Sequence, residues 1–316
     1  MTDRLWNSLS RKLLALIISS VITVSLRLVW FNAVGYDEGI YLLTSRLFLE
    51  GTVIYRDIPI HKPPLIFVIN AVLPPIGGNL LMARALIMVV SILSSLLIYC
   101  ITCLIIGKFK VALLASVLFS VFSSLPISEL FFVLTEPFVI LFELGAFYFL
   151  VKAKATRDTR NLIFAGILAS SAMLTRQTAV LFVLLSIVFL LYLKHKEHFS
   201  TKKMLLHSLL GALLPVVLVI ILFGYLGALQ PMIYQNTVWA YEDASKVTGF
   251  TNIRQTWFLG YFASASPLWF LGTVALVRRK DLSKVVFHSD SLAFLMLWAI
   301  IVVAFYGLLF GPGYYH

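Results

Sequence analysis

Apolar runs separated by short polar or turn segments dominate the chain from Arg11 onward. Those at 11–33, 84–106, 111–128, 137–151, 161–175, 178–193, 204–225, 257–277 and 291–311 reach or approach the ~20 helical residues that cross a ~30 Å hydrocarbon core. The pattern predicts an all-α polytopic membrane protein, a bundle of about nine transmembrane helices. A further run, Leu65 to Ile76, is too short, because a dozen helical residues rise only ~18 Å. Counting it as a span would also reverse the side of every later loop. Pro63 and Pro64 start it, and Pro74, Pro75, Gly77 and Gly78 close it, so it reads as a re-entrant or interfacial helix. Just upstream, Ile40, Leu43 and Leu47, with Phe48 roughly in line, make an apolar stripe opposite Arg46 and Glu50 that stops at Gly51. The first external loop, 34–83, is therefore expected to carry two helices lying in the membrane plane.

Composition agrees with the pattern. With 60% hydrophobic and 12% charged residues and a mean hydropathy of +0.97, the chain cannot assemble a water-soluble surface. Its 316 residues are expected to form a single transmembrane domain. The first run is too long for a signal-peptide core and lacks a small-residue cleavage site, so it reads as a retained anchor. Cys100 and Cys103 lie inside an apolar run, where they suit packing better than zinc or a disulfide. The net charge of +11 does not imply nucleic acid, because the basic residues are not interleaved with exposed aromatics. They sort by membrane side instead. Arg11 and Lys12, Lys108 and Lys110, Lys152 to Arg160, Lys194 to Lys203 and Arg278 to Lys284 all fall on one side, which the positive-inside rule makes cytoplasmic together with the N-terminus. His195, His198 and His207 belong to that basic side and read as solvated residues.

The opposite side holds fewer charges, and they cluster: Asp37, Glu38, Arg56, Asp57, His61 and Lys62 in the first external loop, then Arg84, Glu136 and Arg176. The loop 226–256 adds Gln235, Asn236, Trp239, Tyr241, Lys246 and Arg254, amide and aromatic groups suited to a sugar and cations suited to a phosphate, although Trp239 and Tyr241 equally suit the commoner role of interface anchors. The runs on either side of Arg176 are short, so their turn is expected to be recessed, where an arginine must line a polar cavity or meet a carboxylate. No glycine-rich phosphate loop is present, which argues against a nucleotide-sugar donor.

Asp37-Glu38 opening a surface helix, His61-Lys62-Pro63-Pro64-Leu65, Arg84 before the second span, Glu136-Pro137 and the Thr175-Arg176 turn resemble, in the same order, the polyprenyl-phosphate-sugar-dependent glycosyltransferases of the type C fold. That group includes the protein mannosyltransferases and the lipid A aminoarabinose transferases. The resemblance implies an integral membrane enzyme, multi-pass in the cell membrane, with its active site extracytoplasmic. It would move a sugar from a polyprenyl-phosphate carrier to a protein, lipid or glycan acceptor with inversion. Gly311 to His316 resembles the lead into a Tyr-rich motif before further helices, so a C-terminal part is expected to follow.

Inverting transfer needs a carboxylate near the acceptor nucleophile, opposite the leaving phosphate. Asp37 matches the family base, although it also suits a helix cap. Glu136 is the second catalytic candidate, for the acceptor or a cation, and it also suits the exposed start of a helix at Pro137. Cations must face the departing phosphate, and Lys62, Arg84 and Arg176 are the candidates. Glu38, His61, Lys246 and Arg254 are further candidates for substrate or metal contact. A divalent cation stays open, since His61 stands where relatives often carry an acid, and histidine suits Zn or Mn better than Mg.

Two more charges, Arg27 and Glu143, fall inside predicted spans, where charges pair or line a pathway. They read either as an ion pair fixing helix packing or as part of a cavity. The second reading supports the rival function, a transporter or flippase for a lipid-linked substrate. Against it, the charges gather at one surface, and no broken helices in matching halves mark a midplane site.

Overall fold

The computed structural model describes residues 2–29, 36–72, 79–125, 130–197 and 200–239. Among these every regular element is helical, and the one strand-like feature is a bridge between Ile54 and Ile58. The chain divides into two compact units, Met1–Thr237 and Val238–His316. Beyond Trp239 the second lies outside the described residues, and with it the predicted spans 257–277 and 291–311.

The helices are α1 (Thr2–Val29), α2 (Tyr36–Leu49), α3 (Leu65–Val72), α4 (Leu80–Ile106), α5 (Phe109–Phe122), α6 (Thr135–Thr156), α7 (Asn161–Thr175), α8 (Val180–Glu197), α9 (Thr201–Tyr225) and α10 (Leu229–Tyr234). Seven of the predicted spans coincide with α1 and α4 to α9. Among the described residues three stretches, Leu9–Val29, Leu80–Ile106 and Lys202–Tyr225, are long and apolar enough to cross a membrane. The two helices expected in the first external loop are α2 and α3.

One boundary shift matters for the site. α4 starts four residues ahead of the predicted span because the Asn79 carboxamide oxygen accepts the Leu81 and Met82 amides at 3.0 and 3.4 Å, a side-chain cap. Arg84 is thereby carried inside the helix and buried.

Two kinds of packing hold the bundle together. Serine hydroxyls stitch α1, α4 and α5: Ser19 meets Ser95 at 2.8 Å, Ser95 donates to the Ser116 carbonyl at 2.9 Å, and Ser120 donates to Ser95 at 2.9 Å. Small hydroxyl residues permit close helix approach and satisfy one another where water is absent. Cys100 and Cys103 pack beside the apolar part of this seam, around Tyr99. α7 and α9 cross instead through glycine. A Cβ on Gly211 would fall 2.1 Å from the Ile163 carbonyl oxygen, and one on Gly166 would fall 2.5 Å from that of Ser208. The outer face of α9, with Leu206, Leu210, Leu213, Val217 and Ile221, is exposed and apolar, as a lipid-facing surface must be.

At one end of the bundle a continuous apolar core joins elements far apart in sequence. Tyr41 of α2, Ile54 and Tyr55 of the turn before α3, Phe67 of α3, Ile87 of α4, Phe138 of α6 and Phe223 of α9 pack together. This core is the floor on which the polar groups below are set.

The glycine crossing yields a prediction. Gly211→Ala should destabilise the protein by about 1–3 kcal/mol, the usual cost of overpacking, because the obstructing atoms are backbone. Gly224→Ala on the same helix, where an added Cβ meets nothing within 4 Å, should be neutral or slightly stabilising. Thermal unfolding of the two variants in detergent compares them directly.

Candidate active site at one end of the bundle

α2 opens with both acidic candidates in its first turn, and the two diverge because adjacent helical residues point ~100° apart. Glu38 turns inward and is fully buried. Its Oε2 accepts from Arg84 Nη2 at 2.7 Å, and its Oε1 accepts from Arg84 Nε at 3.2 Å and from the Val133 amide at 3.0 Å. The Arg84 guanidinium also lies 5.3 Å from the Phe131 ring centroid and 6.0 Å from that of Phe132. One buried ion pair therefore ties α2, α4 and segment 130–134 together. Asp37 is left half-buried on the other face of α2, with no hydrogen bond or ion pair to a described residue.

Segment 130–134 leads directly into α6, whose first turn carries Glu136. Arg176, in the turn between α7 and α8, donates through Nη1 to Glu136 Oε1 and, at 3.4 Å, to Thr135 Oγ1. The Thr135 hydroxyl donates in turn to Glu136 Oε2 at 3.0 Å. The recessed arginine thus meets a carboxylate, and the pair keeps 12% and 23% side-chain exposure, enough to remain in reach of a ligand.

The residues before His61 form a tight turn. Asp57 accepts the Val53 amide at 2.8 Å and takes two bonds from Arg56, at 2.9 and 3.0 Å. The Arg56 guanidinium and the Val53 amide hold the Asp57 carboxyl down at about 2. A depressed carboxylate contributes stability above the ordinary value of about 4 and loses it as pH falls towards 2, so the turn stays intact in mild acid. Tyr55 sits in the left-handed region at φ +71°, unusual for a residue with a side chain. Its buried hydroxyl donates to the Lys62 carbonyl at 2.7 Å, and burial pushes the phenol above its ordinary range. Gln177, next to Arg176, donates to the His61 carbonyl at 2.7 Å. His61-Lys62 and Glu136-Arg176 are thereby joined through a single side chain.

Asp37 with Glu38, His61 with Lys62, Arg84, Glu136 and Arg176 thus belong to one end of the bundle, while Lys246 and Arg254 lie outside the described residues. Arg27 does not pair with Glu143. Its guanidinium donates to Ser91 Oγ at 2.7 Å, to Ser124 Oγ at 3.4 Å and to the carbonyls of Ser123 and Leu130 at 2.9 and 3.1 Å. The ends of α1 and α5 therefore meet at Arg27, which caps the Ser123 carbonyl at the end of α5 and also holds the Leu130 carbonyl in the turn before α6. Sequence reasoning missed the part played by Gln177 and by Tyr55, whose residue types announce no chemistry. Gln235 and Asn236 were read as sugar contacts, whereas Gln235 bonds the backbone of the Tyr55 turn. His207, read as solvated, is half-buried with Nδ1 3.0 Å from the Thr159 hydroxyl.

Among the described residues no group of three His, Cys, Asp or Glu side chains comes together to hold a metal ion. Both oxygens of Glu38 are engaged by Arg84 and Val133, so the carboxylate does not fit the ligand role that sequence reasoning left open for it.

Among the described residues every regular element is helical, apolar helices of membrane length are present, and charged pairs gather at one bundle end, the make-up of a membrane protein with a polar site. The family model described as dolichyl-phosphate-mannose-protein mannosyltransferase matches residues 61–222, just over half of the chain, and the chain belongs to that family of membrane glycosyltransferases. The matched stretch begins at His61 and takes in Lys62, Arg84, Glu136 and Arg176, while Asp37 and Glu38 precede it. No curated protein and no solved structure matches the chain.

Removing one member of the buried Glu38–Arg84 pair should be costly. Glu38→Gln or Arg84→Met alone should lower stability by about 3–5 kcal/mol, because each leaves a buried charge uncompensated. The double variant should recover part of that loss. Denaturation of the three proteins in the same detergent gives the comparison.

Proposed function

We propose that this protein transfers a sugar, mannose being the first candidate, from a polyprenyl-phosphate carrier to a protein, lipid or glycan acceptor, with inversion at the anomeric carbon. The observation that carries the reading is the link from Glu136 through Arg176 and Gln177 to the His61-Lys62 backbone, at the same bundle end as Asp37. The acceptor oxygen or nitrogen attacks the anomeric carbon, the bond to the phosphate oxygen breaks, and the polyprenyl phosphate departs. Asp37, which has no hydrogen bond or ion pair to a described residue, takes the acceptor's proton or orients the acceptor. Lys62 and Arg176 stand against the negative charge that develops on the leaving phosphate. Glu136, steadied by Arg176 and Thr135, orients the acceptor. Arg84 acts from behind, by holding Glu38 and so the start of α2.

The same reading sets the protein in the cell membrane as a multi-pass enzyme with the N-terminus cytoplasmic and the site extracytoplasmic. α2 and α3 then lie at the interface, within the external loop 34–83, and about nine helices span. The basic clusters at 108–110, 152–160 and 202–203 support this, since they fall between the helix ends opposite the site.

Release of label from radiolabelled polyprenyl-phosphate mannose by the purified protein tests the proposal. Asp37→Asn should lower turnover by about 10²–10⁴-fold, the usual worth of a positioned acid or base. Lys62→Met should lower kcat/KM by about 10²-fold, as loss of one group facing developing charge does. Equal turnover by Asp37→Asn and wild type would remove Asp37 from its role, and silence of the wild type with every polyprenyl-phosphate sugar would favour a lipid-binding or transport role.

A further inference from the structure

The turn that delivers Lys62 is held from a distant part of the chain. Gln235 opens a π-helical turn, Gln235–Trp239, that follows α10. Its buried carboxamide oxygen accepts the Ile60 amide and its nitrogen donates to the Tyr55 carbonyl, both at 2.8 Å. One amide thus bridges the two ends of a six-residue turn, as a neighbouring strand would, across 175 to 180 positions of sequence. The turn needs such support because Tyr55 holds a left-handed conformation that a residue with a side chain keeps only where its surroundings impose it. The Tyr55 hydroxyl in turn fixes the Lys62 carbonyl, and Gln177 bonds both the His61 carbonyl and, at 3.2 Å, Asn236 Oδ1. Pro63 and Pro64 follow at once, so the backbone of Lys62 is restrained on both sides. Single π-helical turns are rare and are found frequently at functional sites.

We propose that Gln235 is a positioning residue for Lys62, holding the lysine at the height of the donor phosphate through the Tyr55–Ile60 turn. The inference rests on the phosphate role proposed for Lys62. It also assigns the segment after α9 a task other than sugar recognition: it sets where the donor headgroup is held.

Two measurements on the full-length protein in lipid nanodiscs test it. The first is amide exchange of segment 53–62, which needs no substrate. Gln235→Leu should accelerate exchange at Ile60 and its neighbours, and Gln235→Glu, which keeps an acceptor for the Ile60 amide but loses the donor to the Tyr55 carbonyl, should do so less. The second is label release from polyprenyl-phosphate mannose. Gln235→Leu should lower kcat/KM about tenfold, and the Gln235→Leu/Lys62→Met double variant should be no worse than Lys62→Met alone, because residues acting as one unit are not additive. A structural role alone would give multiplied losses in the double variant, and that result overturns the proposal. Unchanged exchange at 53–62 in Gln235→Leu overturns it as well, whatever the turnover. A wild type that releases no label while exchange rises in Gln235→Leu leaves the clamp standing and removes the proposed function instead.

Discussion

A carboxylate and a guanidinium taken almost wholly out of solvent are expensive to bury, and a chain this apolar has few charges to spend on structure. Glu38 and Arg84 nevertheless make such a pair, and its third member, the Val133 amide, explains where the pair acts. Three segments that an apolar core alone would leave free to slide, the start of α2, the second turn of α4 and the entry to α6, are fixed to one point. Hydrophobic packing is non-directional, whereas a bidentate arginine contact fixes angle and distance. Asp37 on one side of the pair and Glu136 on the other inherit that fixed geometry.

The same division of labour recurs around the site. Apolar residues from six helices and the turn before α3 supply the cohesion of this bundle end, while a few polar side chains set its register. Gln177 holds the His61 carbonyl, Gln235 spans the Tyr55 turn, and Arg27 near the end of α1 gathers the carbonyls of Ser123, after α5, and Leu130, before α6. Each of these groups bonds backbone, so the side chains proposed for the chemistry, Asp37 and Lys62 among them, stand on a frame held by other residues. Away from this end, serine hydroxyls and the Gly166–Gly211 crossing let the helices approach closely, and apolar side chains face outward to lipid.

Much of the architecture was readable from periodicity. α2 and α3 fell where an apolar stripe and a proline-bounded run predicted them, because both signals are local. The boundary of α4 was misjudged by four residues, since the cap at Asn79 was not weighed and the apolar run seemed to open at Arg84. Glu38, Arg84, Glu136 and Arg176 stand out in the sequence by their expected membrane side and by the family resemblance, and the structure brings them into two ion pairs. Their partners were not legible, because the pairs are 46 and 40 positions apart and charge alone does not say which carboxylate an arginine will take. Arg27 shows the limit from the other direction. A buried arginine demands acceptors, but serine hydroxyls and backbone carbonyls of the segment after α5 take its Nε and Nη2 in place of Glu143, and a sequence does not announce carbonyls. Gln235 is harder still, since an amide in a loop rich in aromatics reads as a sugar contact until its two bonds to the Tyr55 turn are seen.

We propose that Lys62 and Arg176 face the departing phosphate together from the outer side of the membrane. Cysteines introduced at positions 62 and 176, in a protein with Cys100 and Cys103 replaced by serine, can be treated in right-side-out vesicles with a short membrane-impermeant bifunctional thiol reagent. The account predicts that the two positions are joined from outside, and that a polyprenyl phosphate added beforehand blocks the reaction. Joining only from the cytoplasmic face, or none from either face although each single cysteine is labelled, would contradict it.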